Sequence, residues 1–199
     1  MGMLVEIEWE DGGGPGGPGA SRDASFIGLF VLLAGCIMVF AAFTGAFVFR
    51  RGLSGDWASM PKPPILFLNT AVLLASSFAL EMARRALKAG IPSKFNSWWS
   101  AGTVMGVLFL LGQALAWSQL KDLGIYVATS PSSSFFYVLT ASHAVHLLGG
   151  VAALAYVAIQ SRRLSLGPAR RTIVDISAIF WHFLDGLWVY LMVLFYVWG

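Results

Sequence analysis

Five apolar runs, each close to the ~20 residues that a helix needs to cross about 30 Å of hydrocarbon, dominate this chain of 199 residues. They cover roughly residues 26–49, 65–83, 98–120, 135–159 and 176–198. Backbone groups in lipid must bond within their own segment or close a barrel, and none of the runs shows the sustained alternation of a barrel strand. The expected fold is therefore an all-α integral membrane protein, a bundle of five transmembrane helices. Composition excludes a soluble enzyme: 57% of the residues are hydrophobic and 12% charged, whereas a water-exposed surface needs about a quarter of its residues charged. The single cysteine, Cys36, lies inside an apolar run. That excludes a disulfide framework and a cysteine-held zinc or iron–sulfur cluster.

The segment before the first run starts acidic and ends in glycines and prolines. A secretory signal starts basic and passes straight into a short apolar stretch, so residues 1–24 read as a retained flexible tail and 25–199 as the membrane domain. Residues 4–10 partly alternate and could dock as a strand on a partner; a solvated tail is the simpler reading. Placing the N-terminus inside puts Arg22, Arg84, Arg85, Lys88, Lys94, Arg162, Arg163, Arg170 and Arg171 on the inner side and Arg50, Arg51, Lys62 and Lys121 outside. Nine cations against four favour the N-terminus inside and the C-terminus outside. Trp98, Trp99, Trp117 and Trp198 fall near span ends, where indoles anchor at the headgroup boundary. The basic residues mark topology; nothing points to nucleic acid.

Ionisable side chains inside a span cost a few kcal/mol each and need a partner or a purpose. His143 and His146 share a face of the fourth helix, as do His182 and Asp185 on the fifth. At 1.5 Å per residue His146 and Asp185 both fall about 14 Å from the inner boundary, so an imidazole-to-carboxylate bond between neighbouring helices is possible. Four readings compete: histidine-held haem or metal, a proton relay, a substrate path, and an interhelical clasp that binds no cofactor. Spacing favours the clasp, because most intramembrane polar groups find a protein partner. Glu81, about 6 Å from the inner boundary, can reach Arg84 and Arg85 one turn on, which favours a helix-end ion pair over a proton-entry carboxylate; the functional variant is that the two arginines hold a lipid phosphate. Asn69 and Gln113 read as interhelical hydrogen-bonders, and Gly149 and Gly150 as sites of close helix contact.

Two of these helices also carry a family pattern. The stretch FWHFLDGLWVYLMVLFYVWG resembles the closing helix of subunit III of haem-copper respiratory oxidases, with its Trp-His-Phe-x-Asp-x-x-Trp run. The stretch FFYVLTASHAVHLLGG is similar to that family's Phe-Tyr-x-x-Thr-x-x-His-x-x-His-x-x-x-Gly segment. Leu68-Asn69-Thr70 with 73–76 matches a third segment, and 106–113 a weaker fourth. The resemblance covers essentially everything after the tail and implies a bacterial five-helix form of cytochrome c oxidase subunit III.

The resemblance implies a subunit with no catalytic, cofactor or metal-ligating residues of its own, haem and copper being held by the partner catalytic subunit. In that family, subunit III packs on a catalytic subunit that reduces oxygen and pumps protons. It holds structural phospholipids and supports proton uptake and durability. The implied partners are oxidase subunits I and II, membrane phospholipids and possible supercomplex components, in a bacterial inner membrane. His143, His146, His182 and Asp185 then become the family's internal polar cluster. Longer members have seven helices, of which this chain lacks the first two. Cys36 or its neighbours stand where the family often carries a buried glutamate, and Ala116 replaces another. A quinol oxidase subunit III is the nearest alternative, then an accessory subunit of a nitric oxide reductase. An independent transporter would need its own substrate site and, usually, internal repeats, neither of which the sequence offers.

Overall fold

The computed structural model describes residues 18–53, 63–163 and 168–198, with side chains over 22–53, 63–161 and 171–198. The segment 4–10, considered above as a docking strand, lies outside them. Five helices follow in order: α1 (Pro18–Leu53), α2 (Ile65–Lys88), α3 (Pro92–Asp122), α4 (Pro131–Arg163) and α5 (Pro168–Trp198). Among the described residues there is no strand. All five are long and apolar enough to cross a membrane. Each outruns its apolar stretch in the sequence, because polar residues at the ends continue the helix past the hydrocarbon.

The turns between helices follow local chemistry. After α2 the chain turns through Gly90, at φ +72°, with Gly90 N–H donating to Leu87 O and Ile91 N–H to Ala86 O. This is a Schellman-type stop, and Pro92 at once opens α3 with a φ already helical. Gly124, at φ +75°, ends α3 in the same way. Before α4, Ser130 and Ser133 cap each other: Ser133 N–H donates to Ser130 Oγ at 3.2 Å and Ser130 N–H to Ser133 Oγ at 3.0 Å. That reciprocal pair satisfies donors a helix start leaves open.

Helices α2 to α5 form a ring in which each packs on its chain neighbour and α5 closes on α2. Helix α1 lies outside the ring against α4 and α5, and among the described residues it packs on neither α2 nor α3. The buried positions of α3 are Phe95, Trp99, Gly102, Gly106, Phe109, Gln113, Ala116 and Leu120, alternating steps of four and three. That 3.5-residue period is the seam of a left-handed bundle with side chains interlocking across the interface. Helix α1 keeps a single narrow seam, Leu29, Cys36, Phe40 and Phe47, and exposes Phe30, Val31, Met38 and Phe49.

Glycines let α5 approach the ring's interior closely. The Trp181 indole lies between α3 and α4: a Cβ at Gly106 would stand 2.6 Å from its Cη2, and one at Gly150 would stand 3.1 Å from its Cε3. Gly149, expected at a close contact, has nothing within 4 Å. It falls one residue, about 100°, off the α4 seam. Trp99 also departs from expectation. It is fully buried, with its indole N–H donating to Leu154 O at 2.9 Å, because it belongs to the α3 seam rather than to the lipid boundary.

Candidate functional site

The polar residues inside the spans fall into two groups that meet at Trp188 of α5. The first surrounds His143 on α4, which is 1% exposed. Its ring stacks on Trp188 of α5, with centroids 5.2 Å apart and planes 27° off parallel. Phe109 of α3 and Phe40 of α1 meet it edge-on, each at 6.4 Å. Neither ring nitrogen has a hydrogen-bond partner among the described residues. His146, one turn on, meets Phe40 at 5.7 Å. Its Nδ1 bonds to Ser142 O of its own helix at 2.7 Å.

The second group runs along the seam between α2 and α5. At the Lys88 end of α2, Arg84 is held between two carboxylates. Its Nε and Nη2 donate to Asp175 Oδ1 at 3.1 and 3.0 Å, and its Nη1 donates to Glu81 Oε2 at 3.2 Å. Arg85 donates from Nε to Glu81 Oε1 at 3.2 Å. Deeper along the seam, the Ser77 hydroxyl bonds His182 Nδ1. Beyond them Asp185 is 4% exposed, with the Ser77 hydroxyl beside it. Neither of its carboxylate oxygens has a hydrogen-bond partner among the described residues. Further on, the Trp188 indole N–H donates to Thr70 Oγ1 at 3.0 Å.

The structure therefore brings together a different set from the one expected. His146 and Asp185 stand at similar depth but do not bond: the imidazole turns back to its own helix, and the carboxylate lies on the side of α5 that meets α2. His182 and Asp185 stay together and share Ser77 as neighbour. Glu81 pairs with Arg84 and Arg85 as their spacing allows. Asp175, which spacing did not single out, links Arg84 to α5. It stands seven residues before His182, hence on the same face, and a Ser76-Ser77 pair inside an apolar run was the other available signal.

The two amides differ. Asn69 Nδ2 donates to Phe109 O on α3 at 3.0 Å, whereas Gln113, expected to bond between helices, has no partner for either amide atom among the described residues. Gln113 sits on the buried seam of α3. Ser76 adds an unanticipated α2–α3 link, donating to Gly102 O at 2.9 Å. No three His, Cys, Asp or Glu side chains converge as a metal-ligand set among the described residues.

A family model described as cytochrome c oxidase subunit III matches residues 26–199. A probable cytochrome c oxidase subunit 3 of Nocardia farcinica is 31% identical over 176 residues, covering 85% of this chain and 86% of the relative. One of Mycobacterium tuberculosis is 30% identical over 174 residues with the same coverage. The cytochrome c oxidase subunit 3 of Thermostichus vulcanus is 30% identical over 179 residues, covering 88% of each chain.

Proposed function

Because the chain belongs to the cytochrome c oxidase subunit III family, we propose that it serves its complex as a non-redox scaffold. It packs on the catalytic subunit, holds phospholipid at its apolar faces, and sustains proton uptake and complex stability, while haem and copper reside in the partner. Subunits I and II are its direct partners. The membrane is a bacterial inner membrane, with the N-terminus inside, a reading supported by the distribution of Lys and Arg along the chain.

The observation that carries the scaffold reading is the packing of the two α4 histidines. His143 is enclosed by rings from α1, α3 and α5, and His146 spends its Nδ1 on Ser142 O. Both are used as packing groups between helices, which is how intramembrane polar residues fix a bundle. Arg84 is engaged with both Glu81 and Asp175, whereas Arg85, bonded to Glu81 through Nε alone, keeps a side chain 70% exposed and is the candidate phospholipid-head contact.

The test is purification of the tagged chain in mild detergent. Haem and copper are expected only in fractions that contain larger partner polypeptides. A Soret band in the isolated chain, lost on His146→Ala, would sink the scaffold reading. Reporter fusions at each terminus check the orientation, with the N-terminal fusion expected on the cytoplasmic side.

A further inference from the structure

Asp185 stands apart from every other acid described within the spans. Asp175 and Glu81 are paired with guanidinium groups. Asp185 is deeper, buried, and unpartnered among the described residues. An unpaired charge in a low-dielectric interior is strongly disfavoured against a neutral group. The titratable and charged groups described on the other helices packed against α5 are Tyr137, His143, His146 and Tyr156 on α4, Arg22, Asp23, Cys36, Arg50 and Arg51 on α1, and Glu81, Arg84, Arg85 and Lys88 on α2. None of them hydrogen-bonds to Asp185.

One polar route leads away from it. Ser77 Oγ lies beside the carboxyl group and bonds His182 Nδ1. His182 precedes Asp185 by three residues, about 4.5 Å along α5 in the direction of Asp175. It is half-buried, and Glu81 and Arg84 stand one to two turns beyond Ser77 on α2. In the opposite direction the route stops among the described residues. The Trp188 indole can donate but not accept, and the Thr70 hydroxyl that receives it is itself committed to Leu66 O at 2.8 Å.

We propose that Asp185 is a proton store inside the membrane, a carboxylic acid that exchanges its proton with the inner surface through Ser77 and His182 and passes nothing onward. In one exchange a side-chain rotation first closes a hydrogen bond from the Asp185 acid group to Ser77 Oγ; the acid O–H bond then breaks and its proton goes to Ser77 Oγ as the Ser77 hydroxyl proton goes to His182 Nδ1. His182 then releases a proton from Nε2 to water at the inner boundary. One proton leaves, the carboxylate keeps the electron pair, and the reverse sequence refills the store. The proposal rests on the membrane placement and orientation given above, and it adds to proton uptake a reservoir that is a blind branch.

Infrared difference spectroscopy on the purified complex tests it, following the C=O stretch of protonated carboxyl groups during transfer to D2O. The band is expected in the wild type and absent in Asp185→Asn. Its deuteration is expected to slow by about tenfold in Ser77→Ala and in His182→Phe, each of which removes one hydrogen-bonded step. A neutral acid kept only for packing would also lose the band in Asp185→Asn, but its deuteration rate would not change in Ser77→Ala or His182→Phe. A spectrum unchanged by Asp185→Asn overturns the proposal, as does a deuteration rate that neither variant alters. If one variant fails to assemble, the other carries the rate comparison. Haem absorbance of the same sample reports the scaffold reading separately: the Asp185 band in a preparation without haem would uphold the store and overturn only the assignment to an oxidase complex.

Discussion

A single methyl group at Gly106 probes the centre of the four-helix ring. Its Cβ would stand 2.6 Å from Trp181 Cη2 and 2.9 Å from Cζ2, about 1 Å inside the carbon–carbon optimum of ~3.5–4.0 Å. The indole cannot retreat. It is fully buried, and on its far side a Cβ at Gly150 would already be 3.1 Å from Cε3 and 3.2 Å from Leu184 Cδ1. Either α3 moves outward or Trp181 leaves its rotamer, and overpacking of this kind costs about 1–3 kcal/mol. Against that stands the helical preference for alanine over glycine, about 1 kcal/mol. Gly106→Ala is therefore expected to destabilise by about 0–2 kcal/mol net, whereas Gly149→Ala, which meets nothing within 4 Å, keeps the helical gain and is stabilising by up to about 1 kcal/mol. The assay is unfolding of the purified complex in mixed micelles with increasing denaturing detergent. Trp181→Phe withdraws the edge of the ring that meets Gly106, so in that background the alanine penalty should vanish, a coupling of about 1–3 kcal/mol, the size of the overpacking cost. Equal stability of Gly106→Ala and Gly149→Ala, or a penalty undiminished by Trp181→Phe, would refute the reasoning.

Three further outcomes follow from named contacts. Arg84→Ala removes both links between α2 and Asp175 and should cost about 1.5–3 kcal/mol, the range for charged hydrogen bonds, while Arg85→Ala, largely exposed, should stay within about 0.5 kcal/mol; the same detergent titration measures both. Trp188→Phe keeps a ring against His143 but gives up the bond to Thr70, an expected loss of about 1 kcal/mol that Thr70→Val reproduces; a double variant as costly as the two losses added would show that they do not share one bond. Gln113→Leu removes two buried amide atoms that no described residue satisfies, so it should be neutral or stabilising by about 1 kcal/mol; clear destabilisation would mean that another group satisfies the amide in the assembled complex.

What could be read from the residues alone, and what could not, divides along the helix axis. The existence of five spanning helices and their approximate centres follow from run length, because 20 apolar residues have no other place to go. Depth along the axis also follows, since each residue adds 1.5 Å. Rotation about the axis does not, and there the expectations failed. His146 and Asp185 share a level, yet His146 is rotated by three residues from His143, away from the seam that meets α5. Trp99 sits near a span end but on the same stripe as Phe95 and Gly102, so it points inward. The Arg84–Asp175 pair joins residues 91 apart in sequence, and no local spacing rule reaches across that distance. The family motifs located the residues of α4 and α5 but left open which neighbour each would face.

The same division bears on how the chain holds together in lipid, where apolar side chains gain little by leaving one hydrocarbon environment for another and packing with interhelical hydrogen bonds carries the association. The α2–α5 ring has such bonds on several of its sides: Asn69 to Phe109 O and Ser76 to Gly102 O between α2 and α3, Trp99 to Leu154 O and Trp117 to Thr140 between α3 and α4, and Arg84 to Asp175 and Trp188 to Thr70 between α2 and α5. Helix α1 is attached through its narrow seam and through contacts that include the bond from Tyr190 to Thr44 at 3.0 Å and Arg51 over the Trp198 ring at 5.3 Å. Since hydrocarbon would not by itself press α1 against the ring, its position depends on shape fit along Leu29, Cys36, Phe40 and Phe47 and on whatever covers its other faces. In the proposed scaffold, the ring is the part that keeps its geometry unaided, and α1 is the part whose placement responds most to the lipid and protein around it.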